Sequence, residues 1–149
     1  MPMTRKYIDN LLKFGELNEN DIFYDLGSGD GRVLIEASRD FKVKQGVGFE
    51  IAPWPYFKSR FLINRLKFSD ISIYRKNSLT ADVSKATFVY MYLFPKLVDR
   101  LTAKLTHELR PGAKILCPSF PIDTTRHTKF ELKKEAKIGN ITAYLYEKS

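Results

Sequence analysis

A chain of 149 residues, 44% of them apolar, is long enough for one domain to bury about two thirds of the surface exposed when unfolded, so a single core over 1–149 is expected. Its net charge of +8 suits contact with nucleic acid or an acidic protein surface without choosing between them, because cations such as Arg5, Arg60, Lys67, Arg75 and Lys134 are spread along the chain. The lone Cys117 excludes an internal disulfide, His107 and His127 have no metal-holding spacing, and the longest apolar run, 88–95, falls far short of the ~18 residues that span a bilayer; a cytoplasmic monomer with no metal and no membrane segment is the expectation.

Tyr7, Ile8, Leu11 and Leu12 recur at helical spacing in an N-terminal segment, 1–15, that Gly15 can end. Lying ahead of the first strand, this helix stands either across a ligand crevice as a lid or packed on the sheet. Ile22, Phe23 and Tyr24 form a short buried strand running into Asp25-Leu26-Gly27-Ser28-Gly29-Asp30-Gly31, and Val33, Leu34 and Ala37 mark the helix that follows, ending near Asp40. Glycines in such a turn supply positive φ and let ligand atoms approach the backbone. Asp30 is placed to cap the helix, whose free N–H groups and positive dipole end face the same crevice.

A dinucleotide turn needs G-x-G-x-x-G, and here the third small position falls on Arg32 or Leu34, so that frame fails. An acidic residue followed by G-x-G-x-G is met in full by Asp25, Gly27, Gly29 and Gly31. Glu50 closes a second apolar strand, Val47-Gly48-Phe49, about 20 residues past the turn, where an acidic side chain takes both hydroxyls of an unphosphorylated adenosine ribose.

Pro53 and Pro55 fit the first turn of the next helix, which Phe57, Phe61, Leu62 and Leu66 continue, and Trp54 would stand beside Glu50 at the crevice mouth. Ile71, Ile73 and Tyr74 make a third strand with Asn77-Ser78 at its carboxyl end. Residues 88–94 read as a fourth strand buried on both faces and stopping at Pro95. Leu97, Val98, Leu101, Leu105 and Leu109 trace a helix, 113–117 a fifth strand, and 129–147 an antiparallel hairpin turning at Gly139-Asn140. The segment 119–128 is too short for a helix before the hairpin.

The turn from Tyr24 to Arg32 resembles motif I of the class I S-adenosylmethionine methyltransferases. Joined to Gly48-Phe49-Glu50, Pro53-Trp54, Ser59-Arg60 and the Leu93-Phe94-Pro95 stretch, it is similar to the small archaeal protein-lysine methyltransferases. Their mitochondrial relatives, which methylate lysines of the ATP synthase c subunit and the adenine nucleotide translocase, share the pattern. The resemblance implies one Rossmann-like α/β domain with a mostly parallel, doubly wound sheet ending in an antiparallel hairpin. It implies S-adenosyl-L-methionine as cofactor, leaving as S-adenosyl-L-homocysteine. It carries Asp25, Gly27, Gly29 and Glu50 to cofactor binding with Ser28, Asp30 and Gly31 in the same turn, suggests Trp54, Asn77 and Ser78 beside them, and identifies no general base.

For the acceptor, Tyr92-Leu93-Phe94-Pro95 lacks the polar group with which enzymes of this class grip planar base or amide nitrogens. A lysine amine, from a pKa of ~10.4, must lose a proton at a cost of about 4 to 5 kcal/mol at neutral pH, so an apolar wall that desolvates the ammonium helps. Tyr92 and Phe94 are expected to form that wall. Proteins with exposed lysines, over a broad range, are the expected partners, and RNA methylation through the same cofactor site is the alternative.

Overall fold

The computed structural model describes residues 4–149, so the first three residues of the expected N-terminal segment lie outside it. The elements follow in the order α1 (Arg5–Phe14), β1 (Ile22–Leu26), α2 (Arg32–Phe41), β2 (Gln45–Phe49), α3 (Pro53–Arg65), β3 (Ile71–Tyr74), β4 (Phe88–Tyr90), α4 (Pro95–Glu108), β5 (Lys114–Pro118), β6 (Phe130–Ile138) and β7 (Ile141–Lys148). The strands form one sheet in the order β3-β2-β1-β4-β5-β7-β6. β3, β2, β1, β4 and β5 run parallel, and the β6–β7 hairpin closes the sheet antiparallel to β5.

Alternation along the strands sorts the core into two layers. Tyr24, Leu26, Val89, Met91, Ile115 and Cys117 face α4, packing with Val98, Leu101 and Leu105. Phe23, Phe88, Tyr90, Leu116 and Leu145 face the other way, against Ile8, Leu11 and Leu12 of α1 and Leu34, Ile35 and Ala37 of α2. β1, β2, β4 and β5 are therefore covered on both sides, while β3 at the edge is only partly buried.

α1 lies on the α2 layer. Arg5 bridges to Glu36 at 3.2 Å and to Asp40 at 3.1 Å, Arg39 pairs with Glu36, and the Tyr7 hydroxyl donates to the Ile138 carbonyl of the hairpin at 2.8 Å. Ile8 nevertheless reaches a cavity wall, so the helix belongs to the packed layer and borders the crevice at once.

The fourth strand is shorter than the apolar run that announces it. Pairing with β1 ends at Tyr90, opposite Asp25, because the chain beyond β1 turns away and donates from Gly27 and Ser28 to the Phe49 carbonyl. Only Met91 continues the ladder, to Leu116 of β5, and residues 92–94 form a loop. The cap of α2 also differs from expectation: Gly31, at φ +82°, is the N-cap, and Asp30 Oδ1 accepts from the Arg32 N–H at 3.2 Å one position before it. No helix occupies 119–129.

Candidate active site

At the carboxyl ends of β1 and β4, a cavity of about 280 Å³ opens between the glycine turn and α1, walled by Asp25, Ser28, Gly29, Ile8, Tyr90 and Tyr92 among others. Its floor follows from strand register. Asp25 pairs with Tyr90 on one side and Gly48 on the other, and all three lie on the face that looks toward α1 and α2. A side chain at Gly48 would fill the place taken by its neighbours: an added Cβ would stand 2.5 Å from Leu34 and 2.8 Å from the Cβ of Ser28. Gly48 thus lets the turn fold down onto the sheet.

Gly27, Gly29 and Gly31 all have positive φ, at +95°, +56° and +82°. They differ in their surroundings. A Cβ on Gly31 would come 3.0 Å from Ser59, so this residue brings α3 close; a Cβ on Gly29 would meet nothing within 4 Å, so its face opens on empty space. Glu50 pins the turn: its Oε1 accepts from Gly29 N–H at 2.8 Å and its Oε2 from Ala52 N–H at 3.1 Å.

Two polar groups in the cavity wall are out of balance. The buried Ser28 Oγ has no hydrogen-bond partner. Asp25, 2% exposed, has its carboxyl pushed up to about 8 by burial and then by the neighbouring charges of Glu50 and Asp30. The Tyr90 hydroxyl is likewise raised well above its ordinary value, first by burial and next by Asp25. Open glycine backbone, an orphaned hydroxyl and a buried carboxyl awaiting a counter-charge fit a ligand that brings its own donors and a cationic group, as S-adenosyl-L-methionine does.

The other expected site residues are distributed as follows. Tyr92 lines the cavity. Phe94 stands outside it as the N-cap of α4, its ring 5.6 Å from Phe120. Trp54 occupies the first turn of α3, after the Glu50 loop, and its side chain faces solvent rather than the cavity. Asn77 is exposed, and its Oδ1 accepts from Leu79 N–H at 2.9 Å in an Asx turn; Ser78 is half-buried beside it. Asp30 lines the cavity and pairs with Arg32 at 3.0 Å. Tyr90, Ile8 and Val33 are wall residues that the motif did not indicate. The two-residue period shared by Phe88, Tyr90 and Tyr92 is the signal that points to Tyr90.

The family described as ANTKMT methyltransferase domain matches residues 25–129, which includes the whole glycine turn, Glu50, Tyr90 and Tyr92. Over 147 residues the chain is 35% identical to a protein-lysine N-methyltransferase of Saccharolobus islandicus (strain REY15A), covering 98% of this chain and 91% of the relative. It is 30% identical over 122 residues to the Homo sapiens lysine N-methyltransferase of the ATP synthase c subunit, where it covers 81% of this chain and spans about half, 51%, of the human protein. Among solved structures, the RNA methyltransferase from Salinibacter ruber in complex with S-adenosyl-L-homocysteine superposes with a TM-score of 0.87 at 28% identity, covering 99% of this chain and 93% of that one. The chain belongs to the ANTKMT methyltransferase domain family and is a methyltransferase that uses S-adenosyl-L-methionine.

Proposed function

We propose that the protein transfers methyl groups to lysine side-chain amines of other proteins, over a broad range of substrates, as a single-domain cytoplasmic monomer of the archaeal type. The observation that carries this reading is the acceptor side of the crevice. Tyr92 closes the cavity with an aromatic face, and neither Leu93 nor Phe94 offers the polar grip that a planar base nitrogen requires. The likeness across nearly the whole chain to the Saccharolobus islandicus protein-lysine N-methyltransferase supports it.

Asp25, Ser28 and the Gly27 to Gly31 backbone are assigned to hold the cofactor, with Glu50 for its ribose and Asn77 and Ser78 at the adenine end. When bound, S-adenosyl-L-methionine supplies an electrophilic sulfonium methyl. The protein's part is to strip water from an incoming ammonium, which lowers the cost of its deprotonation, and to hold the free amine in line; Tyr92 and Ile8 provide apolar surface for that.

The test is to incubate the protein with methyl-labelled S-adenosyl-L-methionine and two acceptor pools, total protein cleared of nucleic acid and total RNA cleared of protein. Label in the protein pool is expected. Label confined to RNA would overturn the acceptor while leaving the cofactor site intact, and the charge of +8 makes that comparison necessary.

A further inference from the structure

We propose that the outer face of α3 is a docking surface for an anionic membrane, which holds the enzyme reversibly at a lipid surface. α3 covers the β3 edge of the sheet, burying Ser59 and Ile63 inward. Its opposite face carries Trp54, Phe57 and Phe61, spaced as one ridge along the helix, and they are 78%, 59% and 62% exposed. A helix that packs Ser59 and Ile63 against the sheet and leaves three aromatic rings exposed on its outer side is missing a partner.

Charge defines what the partner must be. Residues 51–69 contain Lys58, Arg60, Arg65 and Lys67 and no aspartate or glutamate. On the helix, Lys58 and Arg65 flank the aromatic ridge on one side and Arg60 on the other, and among the described residues none of the four forms an ion pair. A second copy of this chain would set these cations against themselves around a two-fold axis, which like-charge repulsion opposes. Ile51 and Leu66, also exposed, add aliphatic surface to the patch, on which bases do not stack but which an acyl boundary takes up. An aromatic ridge flanked by Lys58 and Arg65 on one side and Arg60 on the other fits a deformable, negatively charged interface: the rings enter the acyl boundary and the cations remain at the headgroups. The surface lies on α3, away from the acceptor side of the cavity, so this inference is independent of the acceptor proposed above.

Trp54 is the protein's single tryptophan and reports directly on the ridge. The full chain is titrated with vesicles of phosphatidylcholine alone or mixed with phosphatidylglycerol, following Trp54 emission and co-sedimentation. Mixed vesicles are expected to shift the emission to the blue and to bind the protein, with binding weakened when salt is raised from about 0.1 M to about 1 M. Phe57→Ser with Phe61→Ser should reduce partitioning by at least about tenfold per ring removed, and Lys58→Glu with Arg65→Glu should abolish the preference for the anionic lipid. Both pairs are solvent-exposed, so an unchanged melting temperature and unchanged S-adenosyl-L-homocysteine affinity verify that each variant is folded. Absence of binding to mixed vesicles overturns the proposal. So does a shift produced by RNA or by polyglutamate but not by lipid, or a concentration-dependent dimer that the serine pair dissolves.

Discussion

With Asp25 holding the cofactor's cationic group, as proposed above, its buried carboxyl should make cofactor binding depend on pH. Its value of about 8, against 3.8 for a free aspartate, means that at pH 6 only about one molecule in a hundred has it ionised. A ligand that places a cation against it selects the ionised form, so affinity gains close to tenfold per pH unit between pH 6 and 7 and levels off near 8, about 1.4 kcal/mol per unit. Titration calorimetry with S-adenosyl-L-homocysteine in buffers of different ionisation enthalpy should record release of nearly one proton at pH 6 to 7. Asp25→Asn should bind with no such slope, and Glu50→Gln, which removes the larger of the two repulsions, should move the midpoint down. The same group acts on the unliganded fold with the opposite consequence. Because the native carboxyl is raised, its contribution is fully present below about 3.8 and is lost as pH rises through about 8, a swing of roughly 6 kcal/mol between wild type and Asp25→Asn. An affinity that is flat from pH 6 to 8 in the wild type, or a slope retained in Asp25→Asn, would refute the reasoning.

Gly48→Ala should cost about 1 to 3 kcal/mol in denaturant unfolding, since its Cβ meets Leu34 and Ser28 at under 3 Å, and should weaken cofactor binding by displacing Ser28. Gly29→Ala meets no atom; only its φ of +56° is strained, at about 1 to 2 kcal/mol, so its loss of S-adenosyl-L-homocysteine affinity in calorimetry should exceed what a similarly destabilised core variant shows. Phe94→Ala should leave S-adenosyl-L-homocysteine affinity in calorimetry unchanged, because the ring stands outside the cavity against Phe120; loss of cofactor binding would contradict that placement.

The parts of the fold written in local chemistry were readable from the chain. The β1 turn announces itself through Asp25 and three glycines at fixed spacing, the parallel strands through short apolar stretches between turns, and the hairpin through alternation around Gly139-Asn140. What failed to show depends on partners distant in sequence. Residues 88–94 are apolar to the end, yet the strand stops at Tyr90 because its neighbour β1 veers off to pair with Phe49. Phe94 and Trp54 look alike in sequence to wall residues, but the first turns of α4 and α3 aim them outward. Tyr90 shares a two-residue period with Tyr92, but only the strand register sets it beside Asp25. Asp30 carries the residue type of a cap, and the left-handed Gly31 takes the position instead.

The acceptor is the central claim, and the identity of the labelled product tests it most directly. The protein pool is divided, and one half has its lysine amines acetylated before exposure to enzyme and methyl-labelled S-adenosyl-L-methionine; both halves are then hydrolysed in acid and the labelled amino acids separated. Label is expected in methyllysine from the untreated half and almost none from the acetylated half. Label that survives acetylation, or that runs as any residue other than methyllysine, would contradict it.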